Sequence, residues 1–440
     1  MQHSSFAVFR ARARRAFRQF TWGGEWAIAL PSQIKHNLYW FFFDGLFASA
    51  TDNIVITYLV LYILALGASR TQIGLMSSLS SLAVAVVLLP GAVLVERFGH
   101  RKQLTVFFGG GIARFMLLIL AVLPFILGGQ ALILAAMALS ITRDINANLA
   151  FPAWMSVTGE VVPMHGRGRF FGTRNFVMGI AGMLTIFLVG ELITRVGSPS
   201  GYQIALGLAF VLGMISTFSF SRLQDPRGTA PIPVEGGLSL RAVFNDMKGH
   251  PIFVALSLVM AIWNFSLNIA GPFFNVYMVQ NLKFTASMVG VTSIVSTVAG
   301  LIVQRRIGRF SDRLGTRRVM LISMILIPIL PAAWVFITKF WQVLVLNSFG
   351  GMAWGAFNLV SFNFLLSLTP EAQRARYSAI FQIMVTLALA LGAAIGAWVV
   401  TQWGYPAIFA CSAIGRIIAT ILFARFIPRM VSHDEYALTS

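Results

Sequence analysis

Several ionisable side chains stand inside long apolar runs, where charge is costly. Asp44 and Asp52 fall in a run at about residues 38–64, and Arg143 and Asp144 fall in another at about 131–158. An ionisable group in hydrocarbon is usually kept for an ion pair, a proton relay or a solute contact. Asp52 and Arg143 lie near the middle of their runs, so a pair between them is expected. A proton on Asp52 would break such a pair, which is the elementary step of a proton-driven switch. A static structural pair is the other reading. Residues 143 and 144 are about 100° apart around a helix, so only one of them can face a shared cavity squarely. Arg114 and Arg416 also lie inside runs, either as counter-charges to Asp44 or Asp144 or as pocket lining.

Other chemistries find little support. His3, His36, His100, His165, His250 and His433 are scattered, with no metal-ligand spacing. The single cysteine, Cys411, excludes an internal disulfide and reads as a small buried side chain. No phosphate-binding loop is present, and Gly109-Gly110-Gly111 lacks the strand that such a loop follows. That triplet reads as a place where helices approach closely. An enzyme is not expected, and neither is a metal or cofactor.

The elements that must carry these residues are membrane helices. The chain has 440 residues, 57% hydrophobic and 11% charged, where a soluble protein carries about a quarter charged residues. Twelve apolar runs are legible, near 38–64, 71–94, 103–127, 131–158, 171–193, 201–221, 251–279, 286–304, 318–338, 341–368, 377–402 and 404–424. Each can span about 30 Å of hydrocarbon at about 1.5 Å per residue. Of 33 Lys and Arg, only Arg70, Arg195, Lys283 and Lys339 fall in loops on the side opposite the termini. The asymmetry places both termini in the cytoplasm. The net charge of +19 is therefore a topology signal toward anionic headgroups, not toward nucleic acid.

The expected organisation is a basic cytoplasmic arm at 1–36, a six-helix bundle at 37–221, a cytoplasmic linker at 222–250, a second six-helix bundle at 251–428 and a cytoplasmic tail at 429–440. In the arm, Phe6, Phe9, Ala13, Phe17 and Phe20 recur at helical spacing among arginines. This is compatible with an interfacial helix, a disordered basic arm or a transit peptide. The linker is rich in Pro and Gly. The halves repeat each other: Gly99 and Arg101-Lys102 recur as Gly315 and Arg317-Arg318 at an offset of 216. Pro163, Arg167 and Arg169 recur as Pro370, Arg374 and Arg376 at 207, and Gly201-Tyr202 as Gly404-Tyr405 at 203. An even number of spans per repeat makes the repeats parallel.

Two loops carry the most specific pattern. Residues 92–102 read Ala92-Val93-Leu94-Val95-Glu96-Arg97-Phe98-Gly99-His100-Arg101-Lys102, and residues 308–318 read Gly308-Arg309-Phe310-Ser311-Asp312-Arg313-Leu314-Gly315-Thr316-Arg317-Arg318. Gly99 and Gly315 permit a tight turn, and an acid beside an arginine can bond a neighbouring helix end. Both loops resemble the G-x-x-x-D-R-x-G-R-R/K signature of the major facilitator superfamily. The second copy fits well, whereas the first has Ala92 and Glu96 where the pattern has Gly and Asp. The likeness extends over about residues 37–427.

The resemblance implies an all-α membrane protein of twelve transmembrane helices in two six-helix repeats. It implies a cytoplasmic gate at Glu96, Arg97, Arg101, Asp312, Arg313 and Arg317. Arg167 and Arg374 are expected to pair with the gate acids or with lipid phosphate. Spans one, four, seven and ten line the central cavity in this fold, which makes Asp44, Asp52, Arg143, Asp144, Asn264, Asn268, Asn358 and Trp354 candidates for a substrate and proton pathway. Along these cavity spans the charge sits in the first half and the second keeps neutral polar groups: Asp52 falls opposite Asn268, and Arg143 opposite Gly350. The aromatics near these spans, Phe41, Phe42, Phe43, Trp154, Trp263 and Trp354, suit an organic solute or a cation.

Span five lacks the G-x-x-x-G-P run usual in the family's drug/proton antiporters, reading Gly179-Ile180-Ala181-Gly182. The implied activity is secondary transport of a small organic solute by rocker-switch alternating access, with the proton as coupling ion. Its expected setting is the plasma membrane, as a monomer, with anionic lipid headgroups as partners. An uncoupled facilitator and a non-transporting assembly factor or receptor are the alternatives.

Overall fold

A computed structural model describes residues 17–163, 166–225, 228, 251–367 and 374–427. Within these ranges the side chains of 89, 96, 168, 304–314, 362–363, 365–367 and 374–379 lie outside the description. The described fold is all-helical, with the helices joined by short turns. Hydrocarbon offers no partner to a backbone N–H or C=O, so a crossing segment must satisfy its own bonds. In chain order the helices are α1 (Ser32–Ala65), α2 (Arg70–Phe98), α3 (Arg101–Phe125), α4 (Gly129–Val161), α5 (Arg167–Val196) and α6 (Ser200–Ser221). There follow α7 (Pro251–Gln280), α8 (Ala286–Leu314), α9 (Thr316–Trp334), α10 (Phe340–Ser367) and α11 (Arg374–Phe426).

Ten of the described helices are long and apolar enough to cross a membrane. α4 has the length, 33 residues, but carries the Arg143-Asp144 pair. α11 is 53 residues long and breaks its helical dihedrals at Gly404, where φ is 77°. That conformation favours glycine. Gly99 and Gly315 adopt φ of 65° and 82°, as their place in the two tight turns requires. Cys411 is exposed, contrary to the expectation of burial. An apolar run in a membrane helix need not face inward, because its outer face meets lipid.

The described residues fall into two compact units, one drawn from Met1–Leu66 and Val86–Val234, the other from Gly67–Ala85 and Glu235–Ser440. In the first, polar side chains stitch helices through backbone carbonyls, a common device where apolar packing alone gives little specificity. Ser49 donates to Met178 O at 2.8 Å, Tyr58 to Ile186 O at 2.7 Å, and Tyr62 to Leu120 O at 2.6 Å. Phe17 and Phe20 of the N-terminal arm pack on Phe43 and Phe42, at 6.4 and 5.8 Å between ring centres. Residues 1–16, with Phe6, Phe9 and Ala13, lie outside the described residues.

The second unit relies on close backbone approach. A Cβ on Gly396 would sit 2.2 Å from Ile269 O, and one on Gly351 would sit 2.0 Å from Ser296 O. Its core surrounds Trp263, Phe357, Met324 and Phe423. The first part of α2 belongs to this unit: Arg70 Nε donates to Gln280 Oε1 at 3.2 Å, and Ser78 Oγ to Ala390 O at 2.8 Å.

One bonding pattern recurs in both units. Thr217 Oγ1 on α6 donates to Gly110 O of α3 and to Gly213 O, at 3.2 and 2.9 Å. Thr420 Oγ1 on α11 donates to Met324 O of α9 and to Arg416 O, at 2.9 and 2.7 Å. The offset of 203 read from the sequence thus holds in three dimensions.

Candidate functional site

A cavity of about 360 Å³ opens inside the first unit. α1 contributes Asp44, Ala48 and Asp52, whose spacing of four residues puts them in one line along the helix. α4 contributes Arg143, Ala147, Ala150, Phe151 and Trp154, a face of the same period. Arg114 comes from α3, Arg174 and Met178 from α5, and Ser216, Thr217 and Phe220 from α6.

The glycine triplet shapes this wall. Residues Thr105–Ile112 form a π-helical stretch, a local widening often found beside functional sites. Gly110 lies against Thr217, where a Cβ would fall 2.3 Å from its methyl carbon. The triplet serves close packing, as expected, and also borders the cavity.

The charges form two linked groups. Nearer the open side, Asp52 Oδ1 accepts from Arg114 Nη1 at 2.9 Å and lies 4.0 Å from Arg143 Nη2. Arg143 Nη1 donates to Asp144 Oδ1 at 2.7 Å, and Arg143 Nε has no partner among the described residues. The side chain of Asp52 is 48% exposed, whereas those of Arg114 and Arg143 are 13% and 14%. Further in, Asp44 Oδ1 accepts from Ser216 Oγ at 2.8 Å, and Arg174 Nη2 lies 3.5 Å from Asp44 Oδ2. Arg174 Nε donates to Phe41 O at 3.0 Å, and its guanidinium lies 4.1 Å from the Phe41 ring centre. Three arginines thus balance three aspartates.

The pair expected between Asp52 and Arg143 exists only as the longer contact, and Arg114 is the nearer partner. Gly213 makes room for it: a Cβ there would fall 2.7 Å from Arg114 Cδ. Arg114 is therefore pocket lining. Of the adjacent pair, Arg143 lines the cavity and Asp144 orients it. Sequence reading missed Arg174, because it lies near one end of its run and reads with the basic residues before it. Ser216 gave no signal beyond being a hydroxyl in an apolar run.

The remaining candidates lie elsewhere. Asn264 Nδ2 donates to Met260 O at 2.8 Å, and Asn268 Nδ2 ties α7 to α11 through Leu389 O at 2.7 Å. Trp354 packs against Trp263 and Phe357, and Asn358 is exposed. Among the gate residues, Arg101 is fully buried and bonds Ser156 Oγ at 2.8 Å, Glu160 at 3.0 Å and Asp225. It joins α3 to the end of α4 and to the chain after α6. Arg167 donates to carbonyls of Gly159 and Val162, and Arg317 to Ala424 O and Ile427 O at 3.0 and 2.8 Å. Both cap the carbonyl ends of helices. Arg97 is exposed and lies against the Phe98 ring. The side chains of Glu96, Asp312, Arg313 and Arg374 lie outside the described residues.

The sequence model of the Major Facilitator Superfamily matches residues 41–303 and 264–438. The chain belongs to this family. Similar family proteins include the multi-drug resistance efflux pump PmrA of Streptococcus pneumoniae, 22% identical over 390 residues that cover 86% of this chain and 93% of the pump. The multidrug resistance protein MdtG of Serratia proteamaculans is 23% identical over 392 residues, 86% of this chain and 91% of its own. Among solved structures, the nucleoside transporter NupG superposes with a TM-score of 0.70 at 13% identity, over 89% of this chain and 100% of its own. The inward open xylose transporter XylE from E. coli gives 0.65 at 15% identity, over 89% and 96%. The protein is thus a multi-pass transporter of the plasma membrane and not an enzyme.

Proposed function

We propose that this protein exports a small amphipathic organic solute in exchange for protons, by rocker-switch alternating access. One observation carries the reading: Asp52, half exposed in a cavity of about 360 Å³, is shared by Arg114 and Arg143. A proton on Asp52 removes its charge, releases Arg114 and ends the longer contact with Arg143. Arg143, still held by Asp144 through Nη1 and with its Nε unpartnered, then offers its remaining N–H groups to a solute. Phe151 and Trp154, stacked at 5.9 Å, offer the apolar wall that such a solute needs. The similarity to PmrA, a multi-drug resistance efflux pump, and to the multidrug resistance protein MdtG supports export of organic compounds.

The proposed topology has twelve crossings, α1 to α10 and the two arms of α11 at 374–403 and 405–426, with both termini in the cytoplasm. α4 counts as a crossing although it carries charge, because that charge joins the ion cluster of the cavity. The proposed units of motion are the bundles 37–221 and 251–428, joined by the linker 222–250. The working form is a monomer, its basic loops lying at anionic headgroups. The proton is the coupling ion, and no other cofactor is required.

The test is flux in proteoliposomes under an imposed pH gradient, with a panel of aromatic solutes that are cationic, neutral or anionic. Wild-type protein accumulates at least one member with the gradient, and Asp52→Asn does not. Gradient-independent flux in the wild type would make the protein an uncoupled facilitator. No flux of any member, with stable capture of a partner protein, would make it a scaffold.

A further inference from the structure

Unlike the three arginines of the cavity, one arginine inside the membrane has no counter-charge among the described residues. Arg416, on the second arm of α11, is 3% exposed, and its Nε has no hydrogen-bond partner. No salt bridge reaches it among the described residues. Between residues 251 and 427 the sequence holds two acids, Asp312 and Glu371. Asp312 lies in the last turn of α8 and Glu371 lies outside the described residues, whereas Arg416 is midway along its arm. A buried cation without a partner is strongly unfavourable, so packing alone gives no reason to keep one.

The repeat says what is missing. The threonine pattern described above equates Arg416 with Gly213, since Thr420 and Thr217 each bond the carbonyl four residues back. In the first unit Arg114 lies over Gly213 and reaches Asp52 of α1. In the second unit the place of Arg114 is taken by Leu330, which lies against Gly350, the counterpart of Arg143. The guanidinium comes instead from the Gly213 position itself, as Arg416. The place of Asp52 is taken by Asn268, which is neutral and already bonded to Leu389 O. So both units hold an arginine at related loci, but only the first supplies the carboxylate.

A second buried donor lies at the same level. Ser412 Oγ bonds Ser266 O at 2.6 Å. α7 and the second arm of α11 run antiparallel, so one turn further along α11 brings Arg416 to the level of Trp263. Trp263 is fully buried, and its Nε1 has no partner.

We infer that the second unit holds a binding site for an anionic group, a carboxylate or an equivalent oxyanion, with Arg416 as its cation and Trp263 Nε1 as a supporting donor. Resting on the transport reading, the inference makes the exported solute an organic anion or zwitterion. The anionic group replaces the carboxylate that Asp52 supplies in the first unit.

The test is thermal unfolding of the purified full-length protein in low-salt HEPES buffer. The probes are benzoate, its uncharged isostere benzamide, and chloride, against wild type, Arg416→Leu, Arg416→Lys and Trp263→Phe. An anion that binds the folded state raises the midpoint with concentration. Benzoate is expected to raise the wild-type midpoint more than benzamide does. Arg416→Leu should weaken that effect by about tenfold or more, the weight of a charge-assisted bond, and Arg416→Lys should keep part of it. Arg416→Leu should fold at least as well as wild type without ligand, because it removes an unpaired charge. Protection by chloride that is lost in Arg416→Leu supports the site and assigns it to an inorganic anion. Equal protection by benzoate and benzamide, or protection that survives in Arg416→Leu, overturns it. The assay needs no flux, so its failure leaves the transport reading standing, whereas the absence of flux leaves the anion site standing and removes only its assignment to an exported solute.

Discussion

Removing Arg174 should damage the fold more than removing the charge of Asp52. Arg174 and Asp44 expose only 5% and 7% of their side chains. Arg174 lies flat on Gly45, where a Cβ would fall 2.4 Å from its Nε, and it stacks on Phe41. In Arg174→Met the Asp44 carboxylate stays buried with Ser216 as its remaining partner. Breaking a buried pair from one side costs about 3–5 kcal/mol. Replacing both partners, as in Asp44→Asn with Arg174→Met, should recover most of this, leaving about 1 kcal/mol or less. Asp52, half exposed, should cost about 1 kcal/mol or less as Asp52→Asn, the range of accessible pairs. The assay is a double-mutant cycle on unfolding in detergent, read with solute flux on the same proteins. If Arg174→Met is as stable as wild type, or if Asp52→Asn costs as much as Arg174→Met, the division into a structural and a working pair is wrong.

Three further outcomes follow from the same geometry. Arg101→Lys should not rescue the loss in Arg101→Ala, because Ser156, Glu160 and Asp225 are held by a planar fork. Thermal midpoints of the two variants should therefore fall together. Gly351→Ala forces α8 and α10 apart, since the new Cβ would meet Ser296 O at 2.0 Å, and overpacking of this kind costs about 1–3 kcal/mol. Its midpoint should drop while Gly350→Ala, with 3.3 Å to Leu330, changes little. Asn268→Ala should lose the bond to Leu389 O, worth about 1 kcal/mol, and shift stability without altering the pH dependence of flux.

The helices were legible because membrane crossing imposes length and polarity limits that composition alone can satisfy. Most runs begin and end within about six residues of the observed helices, and the gap between the last two runs falls at Gly404, where the dihedrals break; the run at 286–304 is the misfit, because its helix continues through the basic residues to Leu314. The ion cluster was legible in part. Asp44, Asp52 and Arg143 stand out because charge in an apolar run is rare. Their pairing did not, because it depends on which helices touch: Gly213 clears the way for Arg114, and no spacing along the chain records that. Arg174 was hidden by its place near the end of a run, among the arginines that follow Pro163. The buried role of Arg101 was hidden too, since a basic residue in a signature loop reads as exposed until Glu160 and Asp225 are seen around it.

The most direct measurement is proton movement coupled to solute. Proteoliposomes carrying an internal pH-sensitive dye are given a solute gradient with no initial pH difference. Solute flow should move protons the opposite way in the wild type, and Asp52→Asn should abolish proton movement while the protein remains folded. Solute flow without proton movement in the wild type, or unchanged proton movement in Asp52→Asn, would contradict proton coupling through Asp52.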